Sequence, residues 1–151
     1  MINILITDDN PNIRAGVKQI ISEEIDMKIN GEAENGMQTL ELLKNNKYDL
    51  LILDINLPDI NGLEVLHNLK HSEYKIPVLI LSVFPEEQFA LKMIEAGAIG
   101  YLNKMDVSDN LIYAINKVMA GEYYFKSTLS EDVTASIHNF IEKIRGDNLL
   151  C

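Results

Sequence analysis

Two short segments that are apolar almost throughout constrain the fold of this chain more than any other feature. They are "DLLIL" at 49–53 and "PVLIL" at 77–81. A strand with one face in water alternates apolar and polar residues, whereas a strand buried on both faces carries consecutive Leu, Ile and Val side chains. Burial on both faces is typical of parallel sheets that have helices on each side. The two segments therefore predict a buried parallel sheet.

The rest of the chain alternates strand-like and helical patterns. Three further strand-like segments lie at 2–7, 27–33 and 98–102. Helical patterns lie at 11–24, about 36–46, 62–71, 86–96 and 107–120. Asn10 and Pro11 suit the start of the first helix, and Gly97 and Gly121 suit the ends of two later ones. The repeating order predicts an α/β fold with a parallel sheet, helices on both faces and right-handed crossovers.

The segment after Gly121 has a different character. "EYYFKSTLS" has no clear period and is interpreted as a linker, and a further helix is predicted at about 131–145 with Ser130 as its cap. This helix has an apolar stripe formed by Val133, Ile137, Phe140, Ile141 and Ile144. The stripe must lie on the main domain, on a partner, or on a domain outside these residues. We therefore expect a main domain at 1–121 and a linker with an amphipathic helix at 122–151.

Composition and charge exclude several classes of protein. The 151 residues suit one domain, and no apolar stretch approaches the roughly 20 residues of a membrane span. Met1 leads directly into a strand-like segment without a signal peptide, which predicts a cytoplasmic location and no membrane contact. The net charge of −10 repels nucleic-acid phosphates, so these residues alone are a poor candidate for DNA binding. The single cysteine, Cys151, has no partner for an intramolecular disulfide.

Polar side chains follow the predicted strands at the ends where ligands bind in open parallel sheets. They are Asp8 and Asp9 after the first strand, Asp54 after the third, Ser82 after the fourth and Lys104 after the fifth. Each has an ordinary explanation when taken alone: a turn acid, a locally bonded hydroxyl or a solvated lysine. Their joint placement at one edge of the sheet favours a functional site.

Three clustered carboxylates must either take up a proton or bind a cation, and oxygen ligands favour magnesium. A magnesium ion between Asp9 and Asp54 would offset their repulsion and leave room for a phosphoryl oxygen. Lys104 and the Ser82 hydroxyl would then hold the other phosphoryl oxygens, as phosphoryl transfer requires. Asp54 lies at the centre and is the candidate nucleophile, which would form an aspartyl phosphate.

These residues and their motifs resemble the receiver domain of bacterial two-component response regulators over about residues 1–120. The matching motifs are "DD" at 8–9, "LDINLPDINGLE" at 53–64, Ser82 after "VLIL", and "GAIGYLNK" ending at Lys104. The resemblance implies a flavodoxin-like, CheY-like sheet of five parallel strands in the order 2-1-3-4-5, followed here by a C-terminal linker helix. It also implies a signalling domain that catalyses only its own phosphorylation and dephosphorylation.

The resemblance further implies a role for each residue of the site. Asp54 would accept phosphate from a histidine kinase. Asp9 and Asp54 would bind Mg²⁺ directly with the backbone carbonyl of Asn56, and Asp8 would act mainly through water. Lys104 would contact the phosphoryl group.

A switch is implied as well. Ser82 would turn towards the phosphoryl group and vacate space for Tyr101, which would change the surface around the fourth helix, fifth strand and fifth helix. Tyr101 taken alone would be interpreted as a half-buried strand aromatic. The chain departs from the family pattern at Val83, where a small residue is usual, and at Met105, where many receivers have proline. These changes affect access to the phosphoryl pocket and the cis peptide bond common after the lysine.

"GYLNKMDVSDNLIYAINKVMAGEYYF" at 100–125 is similar to the NarL/LuxR-type subfamily, in which a linker and a helix-turn-helix DNA-binding domain follow. No such domain occurs within the 151 residues. The resemblance therefore implies a transcription regulator that binds DNA only through an output domain absent from this chain. Residues 131–145 would be the interdomain linker helix.

The sequence was also compared with other classes of protein. A stand-alone receiver that docks to another protein fits the composition equally well. A haloacid-type phosphatase would need a second acid where this chain has Asn56, which cannot act as a general acid. A flavin-binding module is opposed by the acidic edge. Homodimerisation would use helices one and five or the last helix, and Ile13, Arg14 and Met105 are candidate contacts for the kinase.

Overall fold

A computed structural model describes residues 1–126 and 129–149, which form a five-stranded parallel sheet flanked by helices. The sheet order is β2-β1-β3-β4-β5, which confirms the predicted topology. The strands are β1 (Ile2–Thr7), β2 (Met27–Ala33), β3 (Leu50–Asp54), β4 (Val78–Ser82) and β5 (Gly100–Asn103). The helices are α1 (Pro11–Ser22), α2 (Gly36–Asn45), α3 (Gly62–Lys70), α4 (Glu86–Glu95), α5 (Val107–Met119) and α6 (Glu131–Leu149). Cys151 lies outside the described residues.

Two strands differ from the prediction in a way that matters for the site. Both β3 and β4 begin and end one residue later than expected, so Asp54 and Ser82 are the last residues of the strands themselves. Asp54 pairs in register with Leu81, and Ser82 with Asn103. The backbone at both polar residues is therefore held by the sheet, which gives their side chains a rigid starting position.

The predicted helix ends are largely confirmed. The Asn10 side chain accepts the Asn12 N–H, so Asn10 caps α1, with Pro11 at its first position. Gly97 and Gly121 have φ angles of 116° and 82°, which L side chains rarely adopt, and they end α4 and α5 as expected. The Ser130 hydroxyl accepts the Val133 N–H at 3.2 Å, which confirms it as the cap of α6.

The two faces of the sheet bury separate apolar layers. Leu51 and Leu53 pack in one layer with α2, α3 and α4, while Leu50 and Ile52 pack in the other with α1 and α5. Every residue of β3 and β4 is buried, as the sequence predicted. None of the helices in the described part of the chain combines the length and apolarity that a membrane crossing requires.

The segment after α5 lies against the main domain. Tyr124 forms a parallel bridge with Gly100: Tyr124 N donates to Ile99 O at 3.0 Å, and Tyr101 N donates to Tyr124 O at 2.9 Å. Helix α6 packs on α4, and its Ile137 and Ile141 are 0% and 7% exposed. The central part of the apolar stripe therefore lies on this chain's own domain. In this arrangement it is not available to a partner.

Glycine is required at Gly62, where the loop after β3 returns to the start of α3. Gly62 N donates to Ile55 O at 2.8 Å, and a Cβ at Gly62 would lie 2.8 Å from Ile55 Cα and 2.9 Å from Asp54 O. Both neighbours are backbone atoms, so relieving the contact would require a shift of the main chain at Asp54 and Ile55. We expect Gly62→Ala to lower the free energy of unfolding by about 1–3 kcal/mol, measured by urea denaturation.

Gly16 provides the matched control for this substitution. It lies within α1, and a Cβ there would have no heavy atom within 4 Å. Gly16→Ala should raise the free energy of unfolding by about 0.5–1 kcal/mol, because alanine is the better helix former. Equal stability of the Gly62→Ala variant and the unmodified protein would contradict the proposed backbone contact.

A buried carboxyl group, Glu86, lies beneath the segment after α5. Its Oε2 accepts the backbone N–H of Lys126. Burial raises the pKa of Glu86 to about 7 despite the N–H and the charge of Lys126, and the nearby Asp106 and Glu87 raise it further. The folded protein therefore binds a proton at Glu86 more tightly than the unfolded chain does.

This shift predicts a pH dependence with a definite sign. Because the folded state holds the extra proton, the contribution of Glu86 to stability is lost as the pH rises from 4.5 to about 7. We expect the free energy of unfolding, relative to that of Glu86→Gln, to fall by about 1 kcal/mol across this range, a value reduced for solvent screening. Urea denaturation at several pH values measures the difference. A difference that rises with pH would contradict the assignment.

Candidate functional site

The carboxyl edge of the sheet brings the predicted polar residues together. Asp8 follows β1, Asp54 ends β3, and Lys104 follows β5 directly. Three carboxylate oxygens, one each from Asp8, Asp9 and Asp54, lie within 4.8 Å of one another. Lys104 Nζ lies 2.7 Å from Asp8 Oδ2 and 3.2 Å from Asp54 Oδ2. Four side chains from three strand ends therefore enclose one small polar space.

The three carboxylates differ in exposure. Asp8 and Asp54 are 0% and 4% exposed, whereas Asp9 is exposed. Asp8 Oδ1 accepts the Asn10 N–H at 2.9 Å, and Asp54 Oδ1 accepts the Asn56 N–H at 3.3 Å. Asp8 Oδ2 is buried, and its partner in the described part of the chain is the Lys104 ammonium at 2.7 Å. This oxygen retains the capacity to bind a further positive group.

The electrostatics of the site leave an excess of negative charge. Burial raises the pKa of Asp54, and the neighbouring Asp8 raises it further, against the opposing effect of Lys104. Burial alone would lower the pKa of Lys104, but Asp8 and Asp54 outweigh it and raise that pKa above its ordinary value. Lys104 therefore stays charged, and one ammonium group faces three carboxyl groups.

The donor set fits a hard divalent cation. The group of potential metal ligands found among the described residues consists of Asp8, Asp9 and Asp54 and offers only carboxylate oxygens. Mg²⁺ prefers oxygen ligands and usually keeps several waters, so the exposed position of Asp9 suits it. A bound cation would also add a second positive partner to the buried Asp8 carboxylate, beside Lys104. The residues present therefore fit the predicted magnesium site.

Ser82 and Tyr101 converge on Phe84 rather than on the carboxylates. Ser82 Oγ accepts the Phe84 N–H at 3.0 Å, and Tyr101 donates its hydroxyl proton to Phe84 O at 2.9 Å. Asn103 Nδ2 also donates to this carbonyl, at 3.4 Å. Tyr101 is 0% exposed, so its side chain is fully buried and not half-buried, as the interpretation of this residue taken alone had it. The role of Phe84 was not predicted, because its backbone N–H and carbonyl form these bonds and every residue type other than proline has both groups.

The two departures from the family pattern have little effect on the carboxylate cluster. Val83 is 65% exposed, and its side chain therefore lies largely in solvent beside Ser82. The peptide bond between Lys104 and Met105 is trans, and Lys104 still contacts both Asp8 and Asp54.

The predicted kinase contacts occupy different environments. Arg14 donates to the Asp8 carbonyl at 2.6 Å and forms an ion pair with Glu32 at 3.2 Å, so its guanidinium already has partners within the chain. Ile13 is half-buried, and Met105 is 89% exposed. The contact between Arg14 and the Asp8 backbone was missed by the sequence analysis, because Arg14 lies one helical turn into α1 and carries no motif.

Asp59 is a second residue whose role was missed. Its two carboxylate oxygens accept the N–H groups of Gly36 and Met37, each at 2.8 Å. These donors are at the start of α2, so Asp59 joins the loop after β3 to that helix. The only signal in the sequence was an acid in a turn-forming run.

A parallel sheet with three clustered carboxyl groups and a lysine at its carboxyl edge defines the class of receiver-type α/β signalling domains. The chain belongs to the response regulator receiver domain family, whose model matches residues 4–116. The resemblance predicted from the sequence is thereby confirmed.

Named relatives extend the match beyond the receiver domain. Response regulator UvrY of Escherichia coli (strain K12) is 31% identical over 136 residues, covering 90% of this chain and 62% of UvrY. The nitrate/nitrite response regulator protein NarL of the same strain is 37% identical over 134 residues, covering 89% and 62%. The uncharacterized transcriptional regulatory protein YxjL of Bacillus subtilis (strain 168) is 28% identical over 148 residues, covering 98% and 68%. The chain thus spans 62% of the length of UvrY and NarL.

Solved structures show the same fold. A two-component response regulator of the LuxR family from Aurantimonas sp. SI85-9A1 superposes with a TM-score of 0.78 at 27% identity, covering 94% of this chain and 97% of that one. The receiver domain of the putative response regulator NarL from Mycobacterium tuberculosis gives a TM-score of 0.75 at 27% identity, covering 80% and 98%. The predicted similarity to NarL/LuxR-type regulators is confirmed by these matches.

Proposed function

We propose that this chain is a phosphoacceptor domain in which Asp54 takes a phosphoryl group from a histidine kinase in a Mg²⁺-dependent reaction. One observation carries the proposal: Lys104 Nζ contacts the carboxylates of both Asp8 and Asp54, with a carboxylate oxygen of Asp9 within 4.8 Å of the other two acids. In this arrangement a carboxylate that could act as nucleophile, an ammonium group and a set of potential metal-binding oxygens surround one space, which supports the proposal. Such an arrangement stabilises a transferring phosphoryl group.

The residues of the site have distinct roles in the proposed transfer. An Asp54 carboxylate oxygen attacks phosphorus while the bond from phosphorus to the donor nitrogen breaks, and the electron pair of that bond returns to the histidine ring. Lys104 neutralises charge on a phosphoryl oxygen, and the Ser82 hydroxyl turns to bind another. Asp8, Asp9, Asp54 and the Asn56 carbonyl would hold the magnesium ion, which supplies further positive charge when it is bound.

The same proposal extends to the whole protein. A receiver domain at 1–121 and a linker with an amphipathic helix at 122–151 would precede an output domain that binds DNA and regulates transcription. The match to YxjL, a transcriptional regulatory protein whose alignment covers 98% of this chain, supports this extension. We also propose a cytoplasmic location and homodimerisation of the regulator, as the family resemblance implies. A genomic reading frame that stops at Cys151 would instead favour a stand-alone receiver.

Phosphorylation in the presence and absence of metal tests the proposed function. Acetyl phosphate with Mg²⁺ should add one phosphoryl group to the protein, detected as an increase in intact mass. Addition of EDTA should abolish the increase, because the excess negative charge of the carboxylates then repels the phosphoryl donor. Steady turnover of a small phosphoester without a stable adduct would instead support a phosphatase of the haloacid type.

A further inference from the structure

Two histidines lie one helical turn apart at the C-terminal end of α3. His67 is in the last turn of the helix, and His71 is the residue that caps its end. Side chains at positions i and i+4 of a helix lie on the same face. The centroids of the two imidazole rings are 4.5 Å apart, with an angle of 67° between the ring planes. Both residues are exposed, so the paired rings are accessible from solvent.

The separation of the two rings suits joint binding of one metal ion. A metal–nitrogen bond of about 2.1 Å places the centroids of two imidazole rings at right-angled coordination positions about 4.5 Å apart. The observed separation matches this distance. The rings meet edge to face in the structure. Rotation about the last side-chain bond, which is soft in histidine, then turns a nitrogen of each ring towards a shared ion.

The backbone that carries the pair is held firmly. Leu66 and Leu69 are buried on the inner face of α3, and His71 N donates to His67 O at 3.3 Å. Beyond the helix, the Ser72 N–H and hydroxyl both donate to Leu69 O, at 3.2 and 2.9 Å. Two ligands on a rigid support lose little conformational freedom when they bind an ion, which favours affinity.

The polar groups around the pair leave the imidazole nitrogens available. Asn68 Nδ2 donates to the Glu64 carbonyl at 2.8 Å. Among the described residues, no side-chain hydrogen bond or ion pair involves the ring of His67 or His71. Glu64 and Lys70 are exposed on the same helix, and their opposite charges offset each other. Glu64 does not form a close group of three ligands with the histidines in the described part of the chain, so water would complete the coordination shell.

The chemistry of the two ligands defines the class of ion. Imidazole nitrogen favours transition metals such as Ni²⁺, Cu²⁺ and Zn²⁺, whereas Mg²⁺ prefers oxygen. Two histidines at i and i+4 on one helix face are an arrangement that holds a metal ion in helical zinc motifs. Right-angled positions are typical of octahedral and square-planar ions, which favours Ni²⁺ and Cu²⁺ here.

We propose that His67 and His71 chelate one divalent transition-metal ion at the C-terminal end of α3. This site is distinct from the carboxylate cluster. Helix α3 begins at Gly62, next to the Asp54 backbone, and the histidines lie towards its other end, about 10 Å along the helix axis. A bound ion would hold the last turn of α3 closed and so stabilise the folded protein. The proposal does not depend on the proposed function of Asp54.

NMR spectroscopy with Ni²⁺ as the probe tests this site, because the paramagnetic ion broadens the signals of nearby nuclei. Mg²⁺ in excess competes for the carboxylate cluster throughout. We expect up to one equivalent of Ni²⁺ to broaden the amide signals of Asn68 and Ser72 more strongly than that of Gly62. Broadening that appears around Asp9 and leaves Asn68 and Ser72 unaffected would overturn the proposal.

Substitution of each histidine tests chelation by the pair. His67→Gln and His71→Gln should each weaken Ni²⁺ binding at this site at least about tenfold, because the second imidazole on the same support binds in an intramolecular step. Both positions are exposed, so the variants should unfold at the same temperature as the unmodified protein when no metal is added. The third histidine of the chain, His138, is also exposed on a helix and provides the matched control. His138→Gln should leave the affinity unchanged. An unchanged affinity in either His67→Gln or His71→Gln would overturn the chelate.

Discussion

Asp54→Asn should abolish phosphorylation by acetyl phosphate in the presence of Mg²⁺. The amide has nearly the shape of the carboxylate, but it has neither its charge nor its nucleophilic oxygen, so no acyl phosphate can form. Intact mass spectrometry should detect one added phosphoryl group on the unmodified protein and none on the variant. The variant should also be at least as stable before any metal is added, because burial and the nearby Asp8 both disfavour a charged Asp54.

Asp59→Asn is the control for this experiment. Asp59 lies in the loop that follows Asp54, but its oxygens bind the start of α2 rather than the carboxylate cluster. This variant should be phosphorylated to the same extent as the unmodified protein. If Asp54→Asn gained a phosphoryl group in equal yield, the nucleophile would be another residue and the assignment of Asp54 would fail.

Lys104→Met should lower the free energy of unfolding by about 3 kcal/mol at neutral pH, because breaking a buried ion pair leaves its partners uncompensated. Asp8 and Asp54, which are 0% and 4% exposed, would then repel each other without a neighbouring cation. Protonation of the carboxylates relieves this repulsion. The difference in free energy of unfolding between the variant and the unmodified protein should therefore become smaller as the pH falls. Added Mg²⁺ should stabilise the variant more than it stabilises the unmodified protein, since the ion replaces the lost charge.

Lys117→Met is the control for this experiment, because it removes a lysine from an ion pair at the protein surface. Lys117 pairs with Glu122 at 3.3 Å, with both side chains partly in solvent. Its loss should change the free energy of unfolding by less than about 1 kcal/mol. Urea denaturation of both variants with and without Mg²⁺ separates the two cases. Equal losses for the two lysines would show that the charge of Lys104 does not stabilise the carboxylate cluster.

Much of the fold could be predicted because its signals are local. The apolar runs of β3 and β4, the alternation of strands and helices, and the glycines after α4 and α5 each depend on a few neighbouring residues. Strand and helix ends were correct to within about two residues, except that α6 continues to Leu149. The candidate site was predictable for a related reason. Parallel strands end at the same edge, so residues after successive strands meet even when they are far apart in sequence.

The sequence by itself determined the class of fold, the edge of the sheet that carries the acids and the lysine, and the family. Only the tertiary structure decided how these groups pair. It placed Asp8 rather than Asp9 as the buried partner of Lys104, and it brought Ser82 and Tyr101 together on Phe84. It also showed that α6 packs on α4. The sequence had left three possible locations for the apolar stripe of this helix: the main domain, a partner, or a domain outside these residues. These contacts depend on the distances and angles between groups far apart in the chain, to which no local pattern of residues is sensitive.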